Sequence, residues 1–291
     1  MSRLINYDSP ASLASYLNGR SLGMQKKFGQ NFLINPNARK RLIDELGIAP
    51  GDAVWEIGPG LGAMTRELLD RGATVTAFEI DQGFVSSLKE IFDGSESLRI
   101  VPGDALKTWK KESVRAKFLF GNLPYNVGSV ILGDFIESKC FFSRVVVTVQ
   151  REVARRMAAE PGSKDYSSFS VLCSSVYRVS PLLVLKGSSF FPPPHVDSQG
   201  VRLDLRDDID PAGYPVLFTP LVRGLFASRR KTVKNNLQMF LSNRRIKDGI
   251  HIQDAAESAL EVSGIDPRER AENLGIGEFR TLAAALEVYV G

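Results

Sequence analysis

Residues 53–71 read Ala53-Val-Trp-Glu-Ile57-Gly58-Pro-Gly60-Leu-Gly62-Ala-Met-Thr-Arg-Glu-Leu-Leu-Asp-Arg71. A short apolar run leads into three glycines at alternate positions, and apolar residues at helical spacing follow. This is the pattern of a buried strand (Ala53–Ile57), a tight loop and a helix (Leu61–Arg71). Glycine permits backbone turns that side chains forbid, and it lets a ligand approach the chain. The spacing is G-x-G-x-G, not the G-x-G-x-x-G of dinucleotide loops. Glu56 stands just before it. A carboxylate there repels a phosphate, but it can accept from an ammonium group or hold the loop. A glycine-rich turn without a ligand is the alternative; the strand–loop–helix context favours a ligand.

Outward from this stretch the two periodicities alternate. A helix starts at Asn35, which can cap it, with Pro36 in its first turn. Strands are expected at Thr74–Ile80, Leu98–Pro102, Phe118–Gly121, Arg144–Gln150, Leu182–Leu185 and Val201–Leu205. Helices are expected at Gln82–Phe92, Val130–Ser138 and Glu152–Ala159, while Ser168–Tyr177 is apolar and ambiguous. Such alternation predicts an α/β fold, a mostly parallel doubly wound Rossmann-like sheet with its ligand loops along one edge. After Asp207–Pro215 the strand patterns stop, and Val216–Ala227, Lys231–Leu241, Ile252–Val262 and Glu278–Tyr289 read as helices. The expected division is an N-terminal extension (1–24), an α/β domain (25–206) and a small all-α C-terminal domain (207–291). The extension carries one apolar pattern, Leu13, Tyr16 and Leu17.

Composition narrows the function. The 291 residues carry 37 Lys and Arg against 33 Asp and Glu, a net charge of +4. Arg223, Arg229, Arg230, Lys231, Lys234, Arg244, Arg245 and Lys247 lie in one stretch with no acidic residue between them. A solvated helix face mixes signs, so this run points to a polyanion such as nucleic acid. Two cysteines, Cys140 and Cys173, are too few for a disulfide framework, and two histidines exclude a multi-histidine metal centre. The cysteines are expected to be buried structural thiols. No apolar run is long enough to span a bilayer, and no signal-peptide pattern opens the chain. The cytoplasm is the expected compartment and a monomer the expected state.

Two further strand ends carry acids. Glu79 is placed to take both hydroxyls of a ribose. Asp81 suits a helix cap, and Asp104 is either an acceptor for the exocyclic amine of adenine or a cap. A nucleoside ligand without phosphates is implied, and S-adenosylmethionine (AdoMet) fits. The fourth loop, Asn122-Leu123-Pro124-Tyr125-Asn126, carries chemistry. The exocyclic nitrogen of adenine is a poor nucleophile because its lone pair is delocalised. The Asn122 side-chain oxygen and the Leu123 carbonyl can both accept from its hydrogens and favour a tetrahedral nitrogen. Tyr125 can stack on an extruded base, and Pro124 removes a competing donor. An ordinary turn is the alternative.

Over roughly residues 24–290 these motifs resemble the AdoMet-dependent 16S rRNA adenine N6,N6-dimethyltransferase family. Lys26-Lys-Phe-Gly-Gln30-Asn31-Phe-Leu33 is similar to its N-terminal cofactor motif. Asn122-Leu-Pro-Tyr125 is similar to its catalytic motif, and Phe190-Phe-Pro-Pro-Pro-His-Val-Asp-Ser198 to the motif whose first aromatic closes over the target base. The resemblance implies a class I methyltransferase sheet. It implies cofactor contacts from Gln30, Asn31, Leu33, Glu56, Gly58, Gly60, Glu79, Ile80, Asp104, Ala105 and Asn122. Catalysis would rest on Asn122, Leu123, Pro124, Tyr125 and Phe190, with no metal and with S-adenosylhomocysteine as product. His195 falls at an unconstrained position of its motif and gets no role. Phe226–Leu237 resembles the family's basic helical segment, so Arg223, Arg229, Arg230, Lys231 and Lys234 would contact RNA. The implied substrate is a pair of adjacent adenosines near the 3′ end of 16S rRNA in an immature small subunit. The alternatives are a 23S rRNA adenine methyltransferase of the antibiotic-resistance type, a DNA adenine methyltransferase, and an RNA-binding assembly factor that keeps the fold without catalysis. The Ser228-Arg-Arg-Lys-Thr segment favours the small-subunit enzyme.

Overall fold

The computed structural model describes residues 5–22, 31–123, 128–209 and 214–290. Gln30, Pro124 and Tyr125 lie outside the described residues. In chain order the elements are α1 (Pro10–Gly19), β1 (Phe32–Leu33), α2 (Pro36–Asp44), β2 (Ala53–Ile57), α3 (Ala63–Asp70), β3 (Thr74–Glu79), α4 (Gln82–Ile91), β4 (Leu98–Pro102), α5 (Ala105–Thr108) and β5 (Phe118–Asn122). Then follow α6 (Gly128–Glu137), β6 (Arg144–Gln150), α7 (Arg151–Met157), α8 (Ser168–Val176), β7 (Tyr177–Leu185), β8 (Phe190–Phe191) and β9 (Ser198–Leu205). The remainder is helical: α9 (Phe218–Leu225), α10 (Val233–Ser242), α11 (Ile252–Ser263) and α12 (Ile276–Leu286).

Seven strands form one sheet in the order β4-β3-β2-β5-β6-β9-β7. The pairs β3–β4, β2–β3, β2–β5 and β5–β6 are parallel, and β9 joins β6 antiparallel. The chain runs outward from β2 through β3 to β4, then returns to the other side of β2 at β5. The strand order therefore reverses between β2 and β5, the place where such sheets open a crevice for ligands. Val54, Val75, Ala77, Phe118, Phe120 and Val146 build the core against Leu42, Ile43, Leu46 and Leu68 of the flanking helices. Both faces of the sheet are covered, which is why β2, β5 and β6 read as continuous apolar runs.

The chain divides into two compact units. The first comprises residues 1–134, 142–154 and 179–205; the second comprises 135–141, 155–178 and 206–291. In the second, α9–α12 enclose Phe218, Leu221, Leu237, Leu260, Phe279 and Leu282, all fully buried. Cys140 and Cys173 are buried and form no disulfide.

Some elements differ from expectation. The ambiguous stretch is helix α8, and β7 begins at Tyr177 rather than Leu182. After buried Tyr177 its first residues are half-exposed or exposed and include Pro181, so no apolar alternation marks them. α5 is a single turn, and the β1–β8 ladder pairs only Phe32 with Phe191 and Leu33 with Phe190. Elements this short show no period.

Candidate active site

The loop after β2 is held open by backbone geometry. Gly58, Gly60 and Gly62 all have positive φ, at 71°, 60° and 87°. A Cβ on Gly62 would stand 2.4 Å from the Phe92 ring, so the loop packs against α4 there. A Cβ on Gly58 would meet no atom within 4 Å, so that part of the loop is an open cradle. Glu79, at the end of β3, reaches back across it. Its carboxylate accepts from the Gly60 amide at 3.0 Å and the Asp81 amide at 2.8 Å. Glu56 instead turns inward, where the Thr65 hydroxyl donates to it at 2.6 Å. It thus ties β2 to α3.

These two carboxyls are almost completely buried. Burial pushes Glu56 up to about 8, against the Thr65 hydrogen bond and aided by the charge of Glu79. Burial also pushes Glu79 up to about 7, against the pull of the backbone amides that bond it. Asp81 caps α4 by accepting from Gly83 and Phe84. Asp104 caps α5, its Oδ1 accepting from the Leu106 amide at 3.0 Å. Ile80, just beyond β3, is 42% exposed, an unusual position for a large apolar side chain beside a ligand loop. Ala105 is buried. An open glycine cradle, an acid at the second strand end and an exposed apolar residue next to it fit an adenosine with an amino-acid tail.

The fourth loop starts at the end of β5. Asn122 Nδ2 donates to the Asn31 backbone carbonyl at 2.9 Å, and the Thr148 hydroxyl donates to Asn122 Oδ1 at 2.5 Å. The Leu123 amide donates to the Thr148 carbonyl at 3.0 Å. The segment expected to touch cofactor is therefore bonded to the residue expected to touch the target base. Phe190 is 3% exposed and packs in the core cluster with Leu33 and Val146. In this state its ring is a core side chain, and stacking on a base would require it to leave that packing. The Leu33 carbonyl accepts from Arg39 Nη1 at 3.0 Å.

The N-terminal segment joins the first unit. Leu13, Tyr16 and Leu17 of α1 form a cluster with Leu61 of the glycine loop and Phe84 of α4. The Tyr7 hydroxyl donates to the Leu61 carbonyl at 2.8 Å, and buried Arg39 pairs with Asp8. The apolar trio in α1 was the only signal of this docking. Thr148 carried a fainter one, a hydroxyl inside Val145-Val-Val-Thr-Val149.

In the second unit the basic stretch divides. Arg223 pairs with Glu137, Arg229 with Glu272 at 2.9 Å, and Lys234 with Glu257 at 2.7 Å. Arg244 lies over the Phe240 ring, 4.3 Å from its centroid. Arg230, Lys231, Arg245 and Lys247 are exposed, with no ion pair among the described residues. The acids that neutralise the others come from α11 and from parts of the chain far from the basic run. Buried Asn236 of α10 donates to the Ser228 carbonyl at 3.1 Å and so holds the turn that carries Arg229–Lys231. Among the described residues, no group of three or more His, Cys, Asp and Glu could hold a metal ion, and no helix is long and apolar enough to cross a membrane.

The family model described as ribosomal RNA adenine dimethylase matches residues 22–263. "Ribosomal RNA small subunit methyltransferase A" of Treponema denticola is 41% identical over 283 residues, covering 96% of this chain and 94% of that protein. The protein of the same name from Borreliella afzelii is 35% identical, covering 99% and 98%. Among solved structures, a dimethyladenosine transferase from Plasmodium falciparum superposes with a TM-score of 0.73 at 25% identity, covering 88% of this chain and 98% of that one. The 23S rRNA methyltransferase ErmE has the same fold, with a TM-score of 0.61 at 23% identity, covering 88% and 99%.

Proposed function

We propose that this chain, which belongs to the ribosomal RNA adenine dimethylase family, dimethylates N6 of two adjacent adenosines near the 3′ end of 16S rRNA in the immature small ribosomal subunit. It is an AdoMet-dependent rRNA adenine methyltransferase. Its proposed place of action is the cytoplasm and its proposed state a monomer.

The observation that carries the site assignment is the clamp on Asn122, held at both ends of its amide where β5 meets the crevice. AdoMet supplies an electrophilic methyl group on a sulfonium. The glycine loop and Glu79 would hold its amino-acid tail and ribose, Asp104 its adenine, and Gln30, Asn31 and Leu33 would contact it from the N-terminal motif. Asn122 Oδ1 and the Leu123 carbonyl would accept from the two N6 hydrogens of the target and favour a tetrahedral nitrogen whose lone pair is free to react. The proton leaves afterwards to water, so no strong base is required. Tyr125 would stack on the extruded base, and Phe190 would join it only on leaving its core packing against Leu33 and Val146. Residues 25–206 form the catalytic domain and 207–291 the RNA-binding one, whose basic turn contacts phosphates and positions without reading sequence. Residues 1–24 precede them as an extension, whose described part, 5–22, packs on the glycine loop.

The test is methyl transfer from labelled AdoMet to purified unmethylated small subunits, with large subunits in parallel and the label mapped by primer extension. Two adjacent labelled adenosines near the 3′ end of 16S rRNA are expected. Label on 23S rRNA alone would overturn the substrate assignment. Asn122→Ala should lower kcat by at least about a hundredfold, the scale for losing one preorganised polar group, while AdoMet affinity changes little. Wild-type turnover in that variant would remove Asn122 from the chemistry.

A further inference from the structure

We infer that Thr148 is a positioning residue for the methyl transfer: its buried hydroxyl sets the orientation of the Asn122 amide. The inference rests on the role proposed above for Asn122.

The geometry leaves the amide one orientation. The Asn31 carbonyl can only accept, and it stands 2.9 Å from one end of the Asn122 amide. Turning the amide over would set two acceptors against each other there. Nδ2 must therefore face Asn31, and Oδ1 must face Thr148. The Thr148 hydroxyl, 2.5 Å away, can then only donate. A carbonyl oxygen has two in-plane lone pairs. Thr148 takes one, and the other stays for an N6 hydrogen of the target. Held at both ends, the amide cannot rotate about its last side-chain torsion.

The strand register makes this pairing. Asn122 of β5 aligns with Thr148 of β6 in the parallel ladder, so both side chains project from the same face of the sheet. The ladder continues one residue further, where the Thr148 carbonyl accepts from the Leu123 amide. One position of β6 thus locates both proposed acceptors: its hydroxyl fixes Asn122, and its carbonyl fixes the backbone of Leu123. Thr148 is 1% exposed, and its neighbours Val145, Val146, Val147 and Val149 are equally buried. A hydroxyl in such a place costs stability unless it is bonded, and valine would fill the same volume. Its use is the bond to Asn122.

The test compares Thr148→Val, Thr148→Ala and Thr148→Ser with Asn122→Ala in the full-length chain, under steady-state and single-turnover conditions. Thr148→Val keeps strand propensity and replaces the hydroxyl with a methyl, which cannot donate and which also crowds Asn122 Oδ1, so Thr148→Ala is its control without that crowding. The valine variant should lower kcat about tenfold to a hundredfold, the range for a misoriented catalytic group. KM for AdoMet and for the subunit should stay within about twofold, because the bond matters to the reacting geometry rather than to binding. Thr148→Ala, which also opens a cavity, should lose stability in addition but show the same kcat. Thr148→Ser should restore kcat to within about threefold, since it returns the donor. Wild-type or faster turnover by Thr148→Val, with Asn122→Ala inactive, would overturn the inference and leave the Asn122 role intact. Equal loss in Thr148→Val and Thr148→Ser would show a packing role and also overturn it. Full activity in Asn122→Ala would instead sink the reading beneath it.

Discussion

Glu79 shows how a strand-end acid acquires a task. Its position at the end of β3 was legible from the alternation of strands and helices, and so was the capping role of Asp81. What the sequence could not show is that Glu79 is buried and bonds the glycine loop. Burial lifts its carboxyl to about 7. The proposed grip on two ribose hydroxyls favours the ionised form, because only the carboxylate accepts at both oxygens. Binding should therefore tighten as pH rises through about 7. The expected outcome, by calorimetry between pH 6 and 8, is a lower Kd for AdoMet at the upper end, with proton release at the lower end. Glu79→Gln should bind weakly with a flat profile, and a wild-type profile just as flat would exclude ionisation of Glu79 as the linked event. Thr148 illustrates the opposite limit of legibility. Threonine suits any strand, so only the register with Asn122 gives its hydroxyl a meaning.

Among the elements, those with long, clean periods were read correctly. β2, β3, β4 and β6 fall on their expected residues to within one position, and α2 and α4 begin at the caps Asn35 and Asp81. Misreadings concentrate where tertiary context decides. β7 owes its early start to pairing at the sheet edge, and β1 and β8 exist only because each meets the other. The basic turn before α10 is also contextual. Thr232 caps α10, accepting from the Asn235 amide at 3.3 Å, which ends the turn before Val233. One helical turn further in, Asn236 reaches back to Ser228. A buried amide in a helix otherwise lined by Val233, Leu237 and Leu241 is spent on the shape of that turn. Asn236→Leu removes the donor and strands the Ser228 carbonyl. It should cost about 1–3 kcal/mol in urea unfolding, the range for an orphaned polar partner. RNA affinity should fall while AdoMet affinity stays unchanged. Unaltered RNA binding in a destabilised variant would mean that the turn does not need Asn236 to present its cations.

Across the whole molecule, the electrostatics of the basic stretch emerge only after folding. In sequence, Arg223–Lys247 is a run of like charge. In the structure Glu137, Glu257 and Glu272 cancel Arg223, Lys234 and Arg229, while Arg230, Lys231, Arg245 and Lys247 keep exposed charges without an ion pair among the described residues. A surface ion pair is worth little to stability, yet it removes the local field that attracts a phosphate. Sequence counting pointed to a polyanion, in keeping with the family's rRNA substrate, but could not say which cations of the run stay unpaired. The counterions that RNA releases on binding count the cations that replace them. Neutralising two such cations in Arg230→Gln/Lys231→Gln should flatten the dependence of log K on log salt by roughly 1.5 for binding to the small subunit. The paired double variant Arg223→Gln/Glu137→Gln keeps the net charge and removes a neutralised pair, so its slope should match that of the wild type. If instead the paired variant lost as much slope as the unpaired one, the Arg223–Glu137 bridge would have to open on the RNA, and the acids would be counterions that the substrate displaces.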